Sequence, residues 1–206
     1  MTDFSFPEKP NYNFTKEQTL ERKKILKNKV EHIKFKDLKN TNELIEAYSK
    51  SSFQARKIGE GAKLYKKELN RGTTIIWSLA GSIFSAGLRE LVIDSVRKNL
   101  VDCLVCTGAL FEQDMLEALG YNHYVQTEEI EDKTLQNLLI DRIYDHLLDE
   151  IELQHVDETY KKIAKQMDSG NYSSREFMEY CGKWLSNVKD ANDSVILAAY
   201  EMNVPI

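Results

Sequence analysis

At 206 residues the chain can bury a sizeable core, and its 42% hydrophobic and 30% charged content is that of a globular protein with one main domain. Three prolines and nine glycines exclude a low-complexity or disordered chain, and a net charge of −5 removes any global drive towards direct nucleic-acid binding. No apolar run approaches the roughly 20 residues that span a bilayer. The opening MTDFSFPEKPNYNF lacks the basic start and apolar segment of a secretory signal, so no membrane role and a cytoplasmic location are expected.

Residues 1–14, with Pro7 and Pro10, read as irregular. Thr15 and Gln18 have capping-box spacing and predict a helix start. Further helices are predicted at 42–49 and 53–69, the latter on the stripe Phe53, Ile58, Ala62, Leu64, Tyr65 and Leu69, with a stop at Asn70-Arg71-Gly72. The period then changes. Residues 73–79 are β-branched and apolar and predict a buried strand. Gly81 to Gly87 form a turn into a helix over 88–98. A second strand is predicted at 101–106, a second turn at Thr107-Gly108-Ala109, and a helix at 111–119 closed by Gly120. This order implies a right-handed βαβ unit with parallel strands. Beyond Gly120 the pattern predicts helices at 135–148, 156–167, 174–187 and 194–202, the last capped by Asn192 or Asp193. Val204-Pro205-Ile206 reads as the opening of another strand.

In open α/β sheets, ligands bind beyond the carboxyl ends of the strands, where both glycine-bearing turns lie. Their backbone N–H groups and the following helix dipoles suit an anionic or polar ligand group. Neither turn is G-x-G-x-x-G or a P-loop, although two on adjacent strands point to a shared nucleotide-type site. Glu112, Gln113 and Asp114 open the second helix, where acidic residues favour the helix dipole whether or not a ligand is bound. Cys103 and Cys106 are spaced C-x-x-C, but in a strand they point to opposite faces, which favours a core role. The four histidines show no metal-ligand spacing. Residues 15–36 carry eight Lys/Arg against three Glu, and 128–158 carry eleven Asp/Glu against two basic residues. Both read as solvated helix faces, although the acidic stretch could attract a polyamine.

Four colinear segments resemble the deoxyhypusine synthase family. They are Ser52-Phe53-Gln54-Ala55-Arg56, Ala80 to Leu88 (AGSIFSAGL), Val101 to Ala109 (VDCLVCTGA) and Asp141-Arg142-Ile143-Tyr144-Asp145. The resemblance runs from about residue 50 to the end. It implies an α/β, Rossmann-like parallel sheet with helices on both faces plus N-terminal helices. Residues 1–50 would be a helical extension, and 51–206 a partial domain incomplete at its C-terminus. It also implies NAD as cofactor, spermidine as aminobutyl donor and a lysine of translation initiation factor 5A as acceptor. A homo-oligomer is implied, with sites at subunit interfaces. Carried over by position, Gly81, Ser82, Thr107, Gly108, Glu112 and Gln113 would face NAD. Gln113 stands where related sequences carry histidine or glutamate, so it cannot act there as a carboxylate. The family's lysine-bearing segment is expected beyond Ile206, which leaves this chain without a catalytic residue of its own. Two rival readings are a non-catalytic subunit of a hetero-oligomer with a complete paralogue, and a homospermidine synthase-type aminobutyltransferase.

Overall fold

The computed structural model describes residues 9–206, so Pro7 lies outside the described residues. Two compact units divide between Arg71 and Gly72.

In the first unit, α1 (Lys16–Ile25) starts where the capping box predicts. The Thr15 hydroxyl accepts from the Gln18 N–H at 3.1 Å, and the Gln18 side chain accepts from the Thr15 N–H at 3.0 Å. No α1 residue is buried, as befits a solvated basic segment. Asn40 caps α2 (Thr41–Ser49), and α3 (Phe53–Arg71) packs against it. Contact is close: a Cβ on Gly59 would lie 2.4 Å from the Ser49 backbone nitrogen.

The second unit opens with β1 (Ile76–Leu79). A π-helical turn, Phe84–Leu88, is kinked at Gly87 (φ 88°) and leads into α4 (Arg89–Arg97). Next come β2 (Cys103–Cys106) and α5 (Gly108–Ala118). β1 and β2 are adjacent and parallel, with Ile76 opposite Cys103 and Leu79 opposite Cys106. The strands are shorter than the apolar runs because the Ile75 N–H is taken by the Asp102 carboxylate at 2.7 Å, and the ladder begins beyond that clamp. Alternation along the strands sends Trp77, Leu79, Leu104 and Cys106 onto a core with Val92, Ile93 and Val96 of α4. On the opposite face Ile76 and Val105 remain 61% and 54% exposed, so the helices of this unit cover only one side of the sheet.

After Gly120 the structure departs from the helical expectation. β3 (Tyr124–Val125) is followed by α6 (Asp132–Asn137) and then an antiparallel hairpin, β4 (Ile140–Ile143) and β5 (His146–Asp149), in the order β3-β5-β4. The helix predicted at 135–148 is therefore replaced by one short helix and two strands. Leu139 and Tyr144 adopt φ of 54° and 59°, which no continuous α-helix accommodates. Leu135 and Leu148 are buried, whereas Leu138 and Leu139 are 61% and 49% exposed, so the apolar residues here do not form one buried helical stripe.

Asp149 caps α7 (Glu150–Ala164), six residues earlier than predicted, by accepting from the Ile151 and Glu152 N–H groups. α8 (Ser174–Leu185) begins with a Ser173/Glu176 capping box. Ser194, not Asn192 or Asp193, caps α9 (Val195–Glu201). A second core cluster joins Met115 and Leu116 of α5 to Val156, Ile163, Cys181, Leu185 and Ile196. Beyond α9, the Leu104 N–H donates to the Pro205 carbonyl at 2.9 Å, so the chain near Pro205 lies beside β2, although residues 204–206 form no strand of the sheet. Among the described residues no helix is long and apolar enough to cross a membrane.

Candidate functional site

Because Leu79 and Cys106 are paired in register, the chain leaves both strands at one edge of the sheet. The first turn passes through Gly81 at φ 79°, a conformation that side-chain-bearing residues rarely adopt. A Cβ at Gly81 or at Gly108 would meet nothing within 4 Å, so space is open over both backbones. The Thr107 hydroxyl makes no capping bond, and the Ser82 hydroxyl is likewise unpartnered among the described residues. The Gly108 and Ala109 N–H groups at the start of α5 are also free of partners among them. Four of the predicted residues, Gly81, Ser82, Thr107 and Gly108, thus share this edge. They offer hydroxyls, N–H donors and the positive end of a helix dipole.

The predicted pair on α5 divides. Gln113 is 7% exposed, and its Oε1 accepts from the Ser85 N–H at 3.3 Å, tying the second helix to the first turn. Both Glu112 and Gln113 line a cavity of about 280 Å³ between α5 and the β4–β5 hairpin, with Asp141, Arg142 and His123 on its wall and Leu148 and Leu153 lining its apolar part. Burial, aided by Asp157 and Glu150, holds the Glu112 carboxyl above its usual range. The neighbouring Asp141 and Glu150 carboxyls influence each other, holding Asp141 above and Glu150 below the usual carboxylate range. Of the acidic stretch 128–158, Asp141, Glu150 and Asp157 thus converge on Glu112.

Sequence reasoning missed the buried ion pair behind the turns. Asp114 is fully buried, and its carboxylate accepts from Arg89 Nε at 2.8 Å and from the Val195 and Ile196 N–H groups at 2.9 Å each. Burial pushes the Asp114 carboxyl up, and Arg89 with the two backbone donors pulls it back towards the charged form. The sequence places Glu112, Gln113 and Asp114 at a helix start, but α5 begins at Gly108, so Asp114 lies mid-helix and the N–H groups it satisfies belong to the start of α9. Arg89 also pairs with Glu90 and Glu117 and donates to the Asp193 carbonyl. Nothing in the local sequence distinguishes Arg89 from a solvated helix charge.

The C-x-x-C pair divides across the sheet. Cys106 packs on the core, whereas Cys103 shares a face with Ile76. Burial pushes the Cys106 thiol up to about 11 and the Cys181 thiol up to about 12. The thiolate is the nucleophile, so at pH 8 only about one Cys106 in a thousand is reactive. Iodoacetamide at pH 8 should spare Cys106 and Cys181 in the native protein and label them in urea. The native Cys106 rate should rise about tenfold per pH unit up to pH 10. Rapid native labelling of Cys106, read by peptide mass spectrometry, would restore a redox reading of the pair.

Comparison with known proteins bears on the whole arrangement. The deoxyhypusine synthase family model matches residues 43–206. A deoxyhypusine synthase-like protein of Elusimicrobium minutum is 39% identical over 180 residues, covering 86% of this chain and 48% of that protein. One from Coxiella burnetii is 38% identical over 188 residues, covering 90% and 53% respectively. The chain spans about half the length of the curated relatives it matches. A crystal structure of a deoxyhypusine synthase candidate from Entamoeba histolytica superposes with a TM-score of 0.56 at 18% identity. It covers 86% of this chain and 60% of the other, and this likeness concerns the fold alone. With its βαβ core and most of its length inside the matched region, the chain belongs to the deoxyhypusine synthase family.

Proposed function

We propose that the edge formed by the two βα turns binds NAD, and that the chain serves the family reaction, transfer of an aminobutyl group from spermidine to a lysine of translation initiation factor 5A. One observation carries this reading: two glycine-bearing turns leave in-register parallel strands at the same edge, with open space over Gly81 and Gly108. The residues fit a dinucleotide. Glycine backbones allow close approach, the α5 N–H groups suit an anionic or carbonyl oxygen, and the Ser82 and Thr107 hydroxyls can donate or accept. Bound NAD would supply a hydride acceptor. Glu112 faces the neighbouring cavity, and its raised carboxyl can hold or release a proton closer to neutral pH than an ordinary glutamate. Together with Asp141 it lines the cavity with carboxyl groups that can pair with an amine-bearing ligand by hydrogen bonding. A cytoplasmic location and assembly into oligomers follow from the same reading.

The test is calorimetric titration of the purified chain with NAD, alongside a Gly108→Val variant. An added Cβ at this position meets nothing within 4 Å, so the variant should fold while the side chain fills the ligand's approach. Saturable binding by the wild type, weakened about tenfold or more in the variant, corresponds to at least ~1.4 kcal/mol and supports the site. No binding by the wild type at millimolar NAD, or equal binding by the variant, would remove it.

A further inference from the structure

We infer that Gln113 is a positioning residue: it fixes the shape of the first turn through the Ser85 N–H rather than touching the ligand itself. Its functional consequence rests on the NAD reading above; its structural part does not.

The first turn is held in three ways. Within itself, the Ser85 hydroxyl and the Ala86 N–H both donate to the Ser82 carbonyl, at 2.9 and 3.0 Å, and the Leu88 N–H donates to the Ile83 carbonyl at 3.1 Å. Beneath it, Phe84 is buried in the first core cluster. Between this turn and α5, the Ser85 N–H donates to Gln113 Oε1. Ser85 lies in the opening of the short π-helical turn, where its N–H has no helical acceptor and needs an external one. Gln113 supplies that acceptor from a nearly buried position. It cannot swing towards a ligand without leaving this donor unsatisfied.

The bond also couples the two halves of the site. Ser82 begins the segment that Ser85 closes, and Gln113 sits on the helix whose first turn carries Gly108. Asp114, the next residue, anchors that helix to Arg89 and to α9, so Gln113 is presented from a fixed support. A neutral amide suits the role. It provides an acceptor for Ser85 without adding another charge beside Glu112.

The experiment has two independent readouts on the full chain. Backbone hydrogen exchange of residues 82–88 is compared in the wild type, Gln113→Leu, Gln113→Met and Gln113→Glu. The two apolar variants should speed exchange in that segment about tenfold or more while β1 and α4 keep their protection, and Gln113→Glu, which retains an acceptor, should restore most of it. Met serves if Leu impairs folding. NAD affinity is measured separately on the same proteins: the apolar variants should weaken it, and Glu should rescue it in part. Unchanged exchange at 82–88 in both apolar variants would overturn the positioning role, whatever happens to NAD. Faster exchange with no NAD binding by the wild type would leave Gln113 as the tie between the turns and overturn only the cofactor reading. Exchange and NAD affinity that are both unaffected by all three substitutions would overturn the inference entirely.

Discussion

Replacing Asp114 with alanine should lower the stability of the second unit by about 3–5 kcal/mol, the cost of breaking a buried ion pair by removing one partner. The carboxylate is fully buried and accepts three hydrogen bonds, one from Arg89 and two from the start of α9. Alanine leaves the Arg89 Nε–H and the Val195 and Ile196 N–H groups without acceptors. Arg89 keeps Glu90, Glu117 and the Asp193 carbonyl, which limits the damage to its charge and moves the expectation towards the lower end of the range. Asp114→Asn separates the contributions. It retains one acceptor oxygen but loses the negative charge, so a cost of about 1–3 kcal/mol is expected if hydrogen bonding dominates. Both tryptophans, Trp77 and Trp184, lie after Gly72, so a urea titration followed by tryptophan fluorescence reports on this unit alone. An alanine variant within about 1 kcal/mol of the wild type would mean that the pair is solvated rather than buried.

The same residue shows where sequence reading succeeds and where it stops. Strand order and the shared edge of the turns were legible because apolar β-branched runs, glycines and helical periods alternate locally, and each signal lies within a few residues of the structure it specifies. The hairpin at 140–149 was not. Its apolar residues also satisfy a helical stripe, and the features that exclude a helix are left-handed backbone angles at Leu139 and Tyr144, which neither side chain advertises. The glycine turns of the candidate site could be read directly. The division of labour between Glu112 and Gln113 could not, since it depends on Ser85, 28 residues away. Arg89 and Asp114 are 25 residues apart, and Asp114 and Ile196 are 82 apart, so their network exists only once the chain has folded.

Gly182→Ala in α8 should destabilise the second unit, against the ordinary preference of helices for alanine. In an open helix the change would stabilise by about 1 kcal/mol. Here the added Cβ would lie 2.4 Å from the Tyr200 Cβ and 2.9 Å from the Ile196 carbonyl oxygen. Neither atom can rotate away, since one is fixed to the backbone of α9 and the other belongs to it. Relief requires α8 and α9 to separate, yet α9 is held from its N-terminus by Asp114 and packs through Ile196 into the second core cluster. Overpacking of this kind costs about 1–3 kcal/mol, and the rigid neighbours favour the upper part of that range over the propensity gain. A net loss of about 2 kcal/mol should lower the urea midpoint by about 1 M for a slope near 2 kcal/mol per M. Gly61→Ala in α3 provides the contrast, because nothing lies within 4 Å of the new Cβ and only the helix preference acts. Circular dichroism should show that variant equal to or more stable than the wild type. If Gly182→Ala were also neutral or stabilising, α8 and α9 would not pack as closely as the structure places them. The displacement of α9 also reaches the candidate site, since its first two N–H groups hold Asp114, and Asp114 holds the helix that presents Gln113 to Ser85. Gly182→Ala should therefore speed hydrogen exchange at residues 82–88, although residue 182 itself contacts neither turn.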